Sequence, residues 1–221
     1  MSKSIFQILG PVMIGPSSSH TAGAVRLANL GRQISGKGYQ HVIFEFHGSF
    51  AHTYRGHGTD RALVAGALGY PPDDDRIPDS FQHAKDAGLT YEFREVEIDG
   101  AHPNTVRMTF LYEDGRNASV TGSSIGGGNV IITSVNDMKL YFTAEKPTLV
   151  VRYHEQKGMI AYLSNVLFEN HYNIANMRTI RENQEVLLIT ELDEPLRADI
   201  VERIRQEKEF ISLKYLQKGE F

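Results

Sequence analysis

The spacing of apolar residues changes several times along the chain. A three-to-four-residue spacing predicts a helix over Thr21–Ile34 and a shorter one over Asp60–Leu68. Shorter alternating runs predict six strands, at Val42–Phe46, Tyr91–Ile98, Val106–Tyr112, Ala118–Thr121, Val130–Val135 and Lys139–Phe142. The pair Asp114–Gly115 predicts a hairpin with a tight turn of the primed type. These elements fit a mixed α/β domain with a mostly antiparallel sheet.

Beyond residue 148 the order becomes strand, helix, strand, strand, helix, strand. The predicted elements span Leu149–Tyr153, Met159–Glu169, Ile174–Ile180, Glu185–Leu192, Leu196–Ile204 and Phe210–Leu216. Such a βαββαβ order is the split βαβ pattern of a ferredoxin-like sandwich.

Glycine and histidine are unevenly distributed. Eighteen of the 20 glycines lie between Gly10 and Gly128, and seven of the nine histidines precede Pro103. Residues 143–148 interrupt two apolar runs with a Glu-Lys-Pro segment, which is typical of a linker. We therefore predict an α+β chain of two domains, at residues 1–145 and 148–221.

Composition narrows the classes of function. The chain has 221 residues, 41% hydrophobic, with a net charge of −4, which argues against nucleic acid or an anionic membrane as partner. Met1–Gly10 has neither a long apolar stretch nor a cleavage signal, so we expect a cytoplasmic protein. The absence of cysteine excludes disulfides, thiol nucleophiles and thiolate-bound metal within this chain.

The first candidate site is the segment Gly15–Thr21, which places three serines and His20 just before a helix. Hydroxyls and free N–H groups at a helix N-terminus are suited to binding a carboxylate or phosphate. The alternative is a serine N-cap, although three serines exceed what capping requires. The candidate ligand-binding residues here are Ser17, Ser18, Ser19 and Thr21.

The second candidate site is Gly56-His57-Gly58-Thr59-Asp60. Thr59 is the expected N-cap of the following helix, and flanking glycines expose the imidazole of His57. Histidine exchanges protons near neutral pH, so His57 is a candidate acid or base; the alternative is a surface loop histidine. His20 and His57 meet in one pocket if the two helix N-termini point the same way.

The third candidate is Ser123–Gly128, a glycine-rich turn between two strands. Consecutive N–H groups there suit an anion, with Ser124, Gly126 and Gly127 lining the site; a bulge or plain hairpin is the alternative. The segment matches neither nucleotide-binding glycine pattern. The other histidines and the acidic run Asp73–Asp75 lack metal-ligand spacing, so we predict no metal site in this chain.

These three motifs together resemble a known family. Gly15–Thr21, then Gly48–Ala51 with Gly56–Asp60, then Ser124–Gly128 resemble, in order, the signatures of bacterial iron–sulfur-dependent L-serine dehydratases. The front domain is also similar to the allosteric substrate-binding domain of some phosphoglycerate dehydrogenases. Residues 148–221 resemble an ACT domain, although the loop 155–158 lacks the usual proline before Gly158.

The resemblance implies a two-chain enzyme. Because this chain has no cysteine, it is similar to the beta subunit, and a [4Fe–4S] cluster would be held by a cysteine-bearing alpha subunit. The implied reaction is β-elimination of L-serine to pyruvate and ammonia, with iron acting on the hydroxyl. ACT domains of this kind imply self-association.

The resemblance also implies roles for the residues. His57 is the candidate for proton transfer, and His20 for an acid/base or substrate-contact role. The carboxylate of serine would be held by the hydroxyls of residues 17–19 and Thr21. Asp60 would orient His57 or meet the amino group, and Gly58, Thr59, Ser124, Gly126 and Gly127 would line the substrate site.

Two other interpretations stay open. One is a regulatory module that binds an amino acid or an anion and has no catalytic residue. The other is a purely structural subunit, in which changing Ser18 or His57 affects assembly but not turnover. The presence of His20 together with His57 favours the enzyme, because a sensor needs no proton acceptor.

Overall fold

The computed structural model describes residues 12–207 and 210–217. The chain divides into two compact units between Thr143 and Ala144. The segment Met1–Gly10, from which a cytoplasmic protein was expected, lies outside the described residues. Within the described ranges no helix is long and apolar enough to cross a membrane.

The first unit is built on a six-stranded sheet. Its strands are β1 Tyr39–His47, β2 Thr90–Glu95, β3 Thr105–Tyr112, β4 Asn117–Gly126, β5 Asn129–Val135 and β6 Met138–Phe142. Their spatial order is β2-β1-β3-β4-β5-β6, and only the β1–β2 pair is parallel. The predicted mostly antiparallel sheet is therefore confirmed.

Four α-helices accompany this sheet, namely α1 Gly23–Ser35, α2 Ser49–His57, α3 Thr59–Leu68 and α4 Ser80–Asp86. Alternate residues of β1, such as Phe44 and Phe46, are fully buried, which marks the face that packs on the core. Helices α1 and α3 approach closely at Gly66, where an added Cβ would lie 2.3 Å from the carbonyl oxygen of Val25.

Four features differ from the sequence prediction. Neither α2 nor α4 was predicted, and His57, for which a surface loop was the alternative, lies at the end of helix α2. Thr59 was expected to cap α3, but the cap position is Gly58, in left-handed conformation at φ 66°, and no side chain caps the helix. The hairpin at Asp114–Gly115 is confirmed, but its primed turn type is wrong, because of the two residues only Gly115 has a positive φ.

The second unit has the predicted element order. Its elements are β7 Thr148–His154, α5 Met159–Glu169, β8 Ile174–Glu182, β9 Glu185–Leu192, α6 Ala198–Glu207 and β10 Ser212–Leu216. The sheet order is β10-β7-β9-β8 and every pair is antiparallel. Its core contains buried apolar residues from both helices and all strands but β8, including Leu149, Leu163, Leu188, Ile200 and Leu213.

Candidate functional site

A π-helical turn at Ser18–Ala22 leads directly into α1. Ser17 is its N-cap, and its Oγ accepts a hydrogen bond from the backbone N–H of His20 at 3.1 Å. The predicted alternative of a serine N-cap is therefore confirmed for Ser17. A π turn holds one residue more than an α turn, and such turns are frequent at functional sites. Here the extra residue belongs to the serine–histidine motif itself.

The imidazole of His20 lies between two hydroxyls. Its Nδ1 is 3.1 Å from Ser19 Oγ, and its Nε2 is 3.2 Å from Ser49 Oγ. The ring of Phe50 meets it edge to face with centroids 5.2 Å apart. Both ring nitrogens are thus held by groups that donate or accept a hydrogen bond equally well. His20 is fixed in orientation without being committed to one tautomer.

His57 is the last residue of α2. Its Nδ1 is 3.3 Å from the carbonyl oxygen of Thr53, one helical turn earlier. A carbonyl only accepts hydrogen bonds, so Nδ1 carries the proton of the neutral ring. Nε2 then keeps its lone pair, which has no hydrogen-bond partner among the described residues and can accept a proton. The Thr21 hydroxyl donates to the His57 carbonyl at 3.3 Å and ties the two motifs together.

The structure brings the two histidines into contact. Their ring centroids are 4.8 Å apart with an interplanar angle of 32°. Burial lowers the pKa of His20, and the neighbouring positive charge of a protonated His57 lowers it further. His20 therefore remains neutral at pH values where an unperturbed histidine begins to take up a proton.

A cleft of about 460 Å³ opens on one side of His57. Thr21, Gly58 and Asp60 line it, so part of the first and second motifs converge there. Burial raises the pKa of Asp60, whose Oδ1 accepts a hydrogen bond from the backbone N–H of Arg61. No hydrogen bond joins Asp60 to His57, so within the described residues the carbonyl of Thr53 orients His57.

The other predicted residues do not line this cleft, namely His20, Ser17, Ser18, Ser19, Thr59, Ser124, Gly126 and Gly127. Thr59 and Ser124 are fully buried, and neither hydroxyl has a hydrogen-bond partner among the described residues. Ser124 Oγ lies against Gly23, where an added Cβ would approach it to 2.1 Å. Gly126 and Gly127 form a hairpin turn with positive φ, as the hairpin alternative predicted. The third motif therefore packs against the start of α1 and does not line the cleft.

Sequence reasoning missed several residues of the site. Ser49, Thr53 and His57 recur every four residues and share one face of α2, a signal visible only once the segment is read as a helix. Arg55 and Arg61 line the cleft, and neither belongs to a recognised motif position. The loop before β3 also reaches this region, because the Pro103 carbonyl accepts from the Phe50 N–H and the Asn104 carbonyl from the Ser124 N–H.

Comparison with known proteins identifies the family. The family described as serine dehydratase beta chain matches residues 4–89. Over 217 residues the chain is 45% identical to the L-serine dehydratase beta chain of Peptoniphilus asaccharolyticus, covering 97% of this chain and 98% of that relative. This chain belongs to the L-serine dehydratase beta chain family. It is also 39% identical over 204 residues to a probable L-serine dehydratase beta chain of Bacillus subtilis, covering 91% and 92% of the two chains.

Members of the L-serine dehydratase group also include longer chains. L-serine dehydratase 2 of Escherichia coli is 32% identical over 154 residues, which covers 58% of this chain but only 33% of that relative. The present chain has no cysteine. Its described residues contain no group of three His, Asp or Glu side chains placed to hold a metal ion. The residues of this chain therefore do not fit an iron–sulfur cluster.

Proposed function

We propose that this chain is the beta subunit of an L-serine dehydratase and that His57 takes the α-proton of L-serine. The observation that carries the proposal is the bond from His57 Nδ1 to the Thr53 carbonyl, which leaves Nε2 as a proton acceptor beside a cleft. The similarity to named beta chains supports L-serine as the substrate.

In the proposed reaction, serine loses its α-proton and its β-hydroxyl, and the product is then hydrolysed. Transfer of the α-proton to His57 Nε2 and departure of the β-hydroxyl as hydroxide convert serine to aminoacrylate. Its imine tautomer then reacts with water to give pyruvate and ammonia. A neutral His20 helps the first step, because two adjacent imidazolium rings would repel each other. Burial and the neighbouring His57 lower the pKa of His20, which favours its neutral form.

The serine run contributes mainly through His20. The hydroxyls of Ser17 and Ser19 bond within the turn, to the backbone and ring of His20. Ser18 makes no side-chain hydrogen bond among the described residues, and its hydroxyl is the one of the three available to a ligand. Thr21 is almost fully buried and already bonded to the His57 carbonyl.

A second polypeptide completes the enzyme in this proposal. The family resemblance assigns a [4Fe–4S] cluster to a cysteine-bearing alpha subunit, and the lack of cysteine here supports a separate holder. This chain matches only 33% of the longer Escherichia coli relative. The unmatched part supports a second polypeptide as partner. We propose further that the second unit is an ACT domain that self-associates; light scattering that gives a monomer mass would contradict this.

The test is pyruvate release from L-serine under anaerobic conditions. This chain, the cysteine-bearing partner, and the pair reconstituted with iron and sulfide are compared. We expect activity only in the pair, and a loss of about 10²- to 10⁴-fold in His57→Ala with assembly intact. His52→Ala, an exposed histidine on the same helix, is the matched control. Full activity from the partner alone would make this chain a regulatory module, and normal turnover by His57→Ala would refute the assigned role.

A further inference from the structure

The cleft beside His57 has walls of two kinds. Ile77, Pro78 and Phe81 form an apolar side, while Arg55, Asp60 and Arg61 supply charge. Its volume of about 460 Å³ falls within the range of about 300–1,000 Å³ typical of small-molecule sites. The chemistry of these charged groups therefore indicates which ligand the cleft takes.

The two arginines are available to an anion. Neither Arg55 nor Arg61 has a carboxylate oxygen within 4.0 Å among the described residues, although both act on Asp60 at longer range. Arg55 lies over the ring of Tyr54, with its guanidinium carbon 5.3 Å from the centroid, and Arg61 lies over Phe81 at 5.8 Å. Contact with a ring uses the face of the guanidinium and leaves its in-plane N–H donors for a carboxylate.

Asp60 is the one carboxylate that lines the cleft among the described residues. It forms no ion pair with either arginine, and it is half-buried at the start of α3. Burial raises its pKa, and the charges of Arg61 and Arg55 act in the opposite direction without cancelling this effect. A ligand ammonium would supply a further positive charge.

Gly56 has no structural reason to be a glycine. It lies inside α2, its φ is not positive, and among the described residues no atom outside its own helix comes within 4 Å of where a Cβ would stand. Glycine inside a helix costs about 1 kcal/mol relative to alanine. Since the fold does not require this cost, we take the open space at Gly56, which lines the cleft, as room for a ligand.

We propose that this cleft binds the amino acid as a zwitterion, with its carboxylate between Arg55 and Arg61 and its ammonium at Asp60. The proposal deepens the proposed function and rests on it for the identity of the substrate. It places the α-carbon beside His57, which lines the same cleft. It also moves the carboxylate from the hydroxyls of residues 17–19 to the two arginines, because Ser17 and Ser19 are engaged with His20.

Kinetics of the assembled enzyme test the arginines. In Arg55→Gln and Arg61→Gln we expect the KM for L-serine to rise about tenfold or more, with a smaller change in kcat, because charge-assisted hydrogen bonds are lost from bound substrate. Gly56→Val should raise KM similarly by filling the cleft. Arg116→Gln removes an exposed arginine that pairs with Asp114, and serves as the matched control. A KM unchanged in both cleft arginine variants would overturn the proposal.

Calorimetric binding to the assembled enzyme separates this proposal from the proposed function. L-alanine keeps the zwitterion without the leaving group, and ethanolamine keeps the ammonium and hydroxyl without the carboxylate. We expect L-alanine to bind, ethanolamine not to bind, and L-alanine binding to be lost in Arg61→Gln. If L-alanine binds in an arginine-dependent way but L-serine gives no pyruvate, the proposed function is refuted and the proposed binding site is supported. Absent L-alanine binding, or equal binding by the arginine variants, would refute the cleft.

Discussion

The rings of His20 and His57 lie 4.8 Å apart, yet they are held in different ways. In the part of the chain that the structure describes, only one nitrogen of His57 has a hydrogen-bond partner, a backbone carbonyl, whereas both nitrogens of His20 face serine hydroxyls. Two chemically identical side chains therefore have different capacities for proton exchange. This asymmetry is the basis on which we propose His57 as the proton acceptor and His20 as its oriented neighbour.

Removal of the Ser49 hydroxyl should loosen His20 and slow turnover. A neutral hydrogen bond contributes about 0.5–1.5 kcal/mol, so Ser49→Ala should lower kcat about two- to tenfold in the assembled enzyme. Ser49→Thr keeps the hydroxyl and should retain most of the activity. Equal kcat values for wild type and Ser49→Ala would show that Nε2 of His20 needs no partner.

His20 should make the protein less stable in mild acid. Its pKa is lowered in the folded state from the model-peptide value of 6.5, so below that pH the unfolded chain binds more protons. Stability is therefore lost as pH falls from about 7, and the loss stops once pH is below the folded pKa. His20→Gln should flatten the free energy of unfolding against pH between about pH 5 and 7. Urea denaturation measures this, with His52→Gln as control; parallel profiles for wild type and His20→Gln would contradict it.

Asp60 should lower stability at neutral pH. Its folded pKa is raised, so the stability it contributes is present below the unfolded value of 3.8 and lost as pH rises through the folded pKa. Asp60→Asn should therefore be at least as stable as wild type at pH about 7 by urea denaturation. Asp74 gives the opposite control, because its hydrogen bond from Arg76 lowers its pKa, and Asp74→Asn should lose stability. A clear loss in Asp60→Asn would mean that its charge is already compensated.

Two helical glycines should respond oppositely to alanine. Gly66→Ala forces a methyl group against the Val25 carbonyl and the Ala28 side chain, and should destabilise the fold by about 1–3 kcal/mol. Gly56→Ala meets open space and should stabilise it by about 0.5–1 kcal/mol. Denaturant unfolding measures both. A destabilised Gly56→Ala would show that the fold itself requires this glycine, which would remove one support for the ligand cleft.

Helices with a regular apolar spacing were predictable from the sequence. Helix α5 begins and ends where the pattern placed it, at Met159 and Glu169, because a wide apolar stripe covers its whole length. Helix α2 was missed, since its buried residues are only Phe50, Ala51 and Tyr54 and glycine interrupts its last turn. Without this helix in the prediction, the contact between the Thr53 carbonyl and His57 one turn later could not be foreseen.

The candidate site was predictable in part. The serine–histidine and glycine–histidine motifs singled out His20 and His57, but their contact depends on how the turn before α1 faces the end of α2. That relationship comes from packing between segments more than 30 residues apart in sequence and has no local signal. Arg55 and Arg61 were passed over because exposed charged residues on a helix are ordinarily solvated. Only the shape of the cleft shows that both face the same space.

The π turn at Ser18–Ala22 makes the length of the serine run as important as its composition. Each residue of a regular helix turns the chain by about 100°, so one residue fewer would let α1 continue as an unbroken α-helix and rotate the position of His20 away from Ser49. Three consecutive serines look interchangeable in the sequence, but each occupies its own angle around the helix axis. A substitution in the run removes at most the hydrogen bonds of one hydroxyl, whereas a deletion or insertion of one residue shifts the whole run around the helix axis.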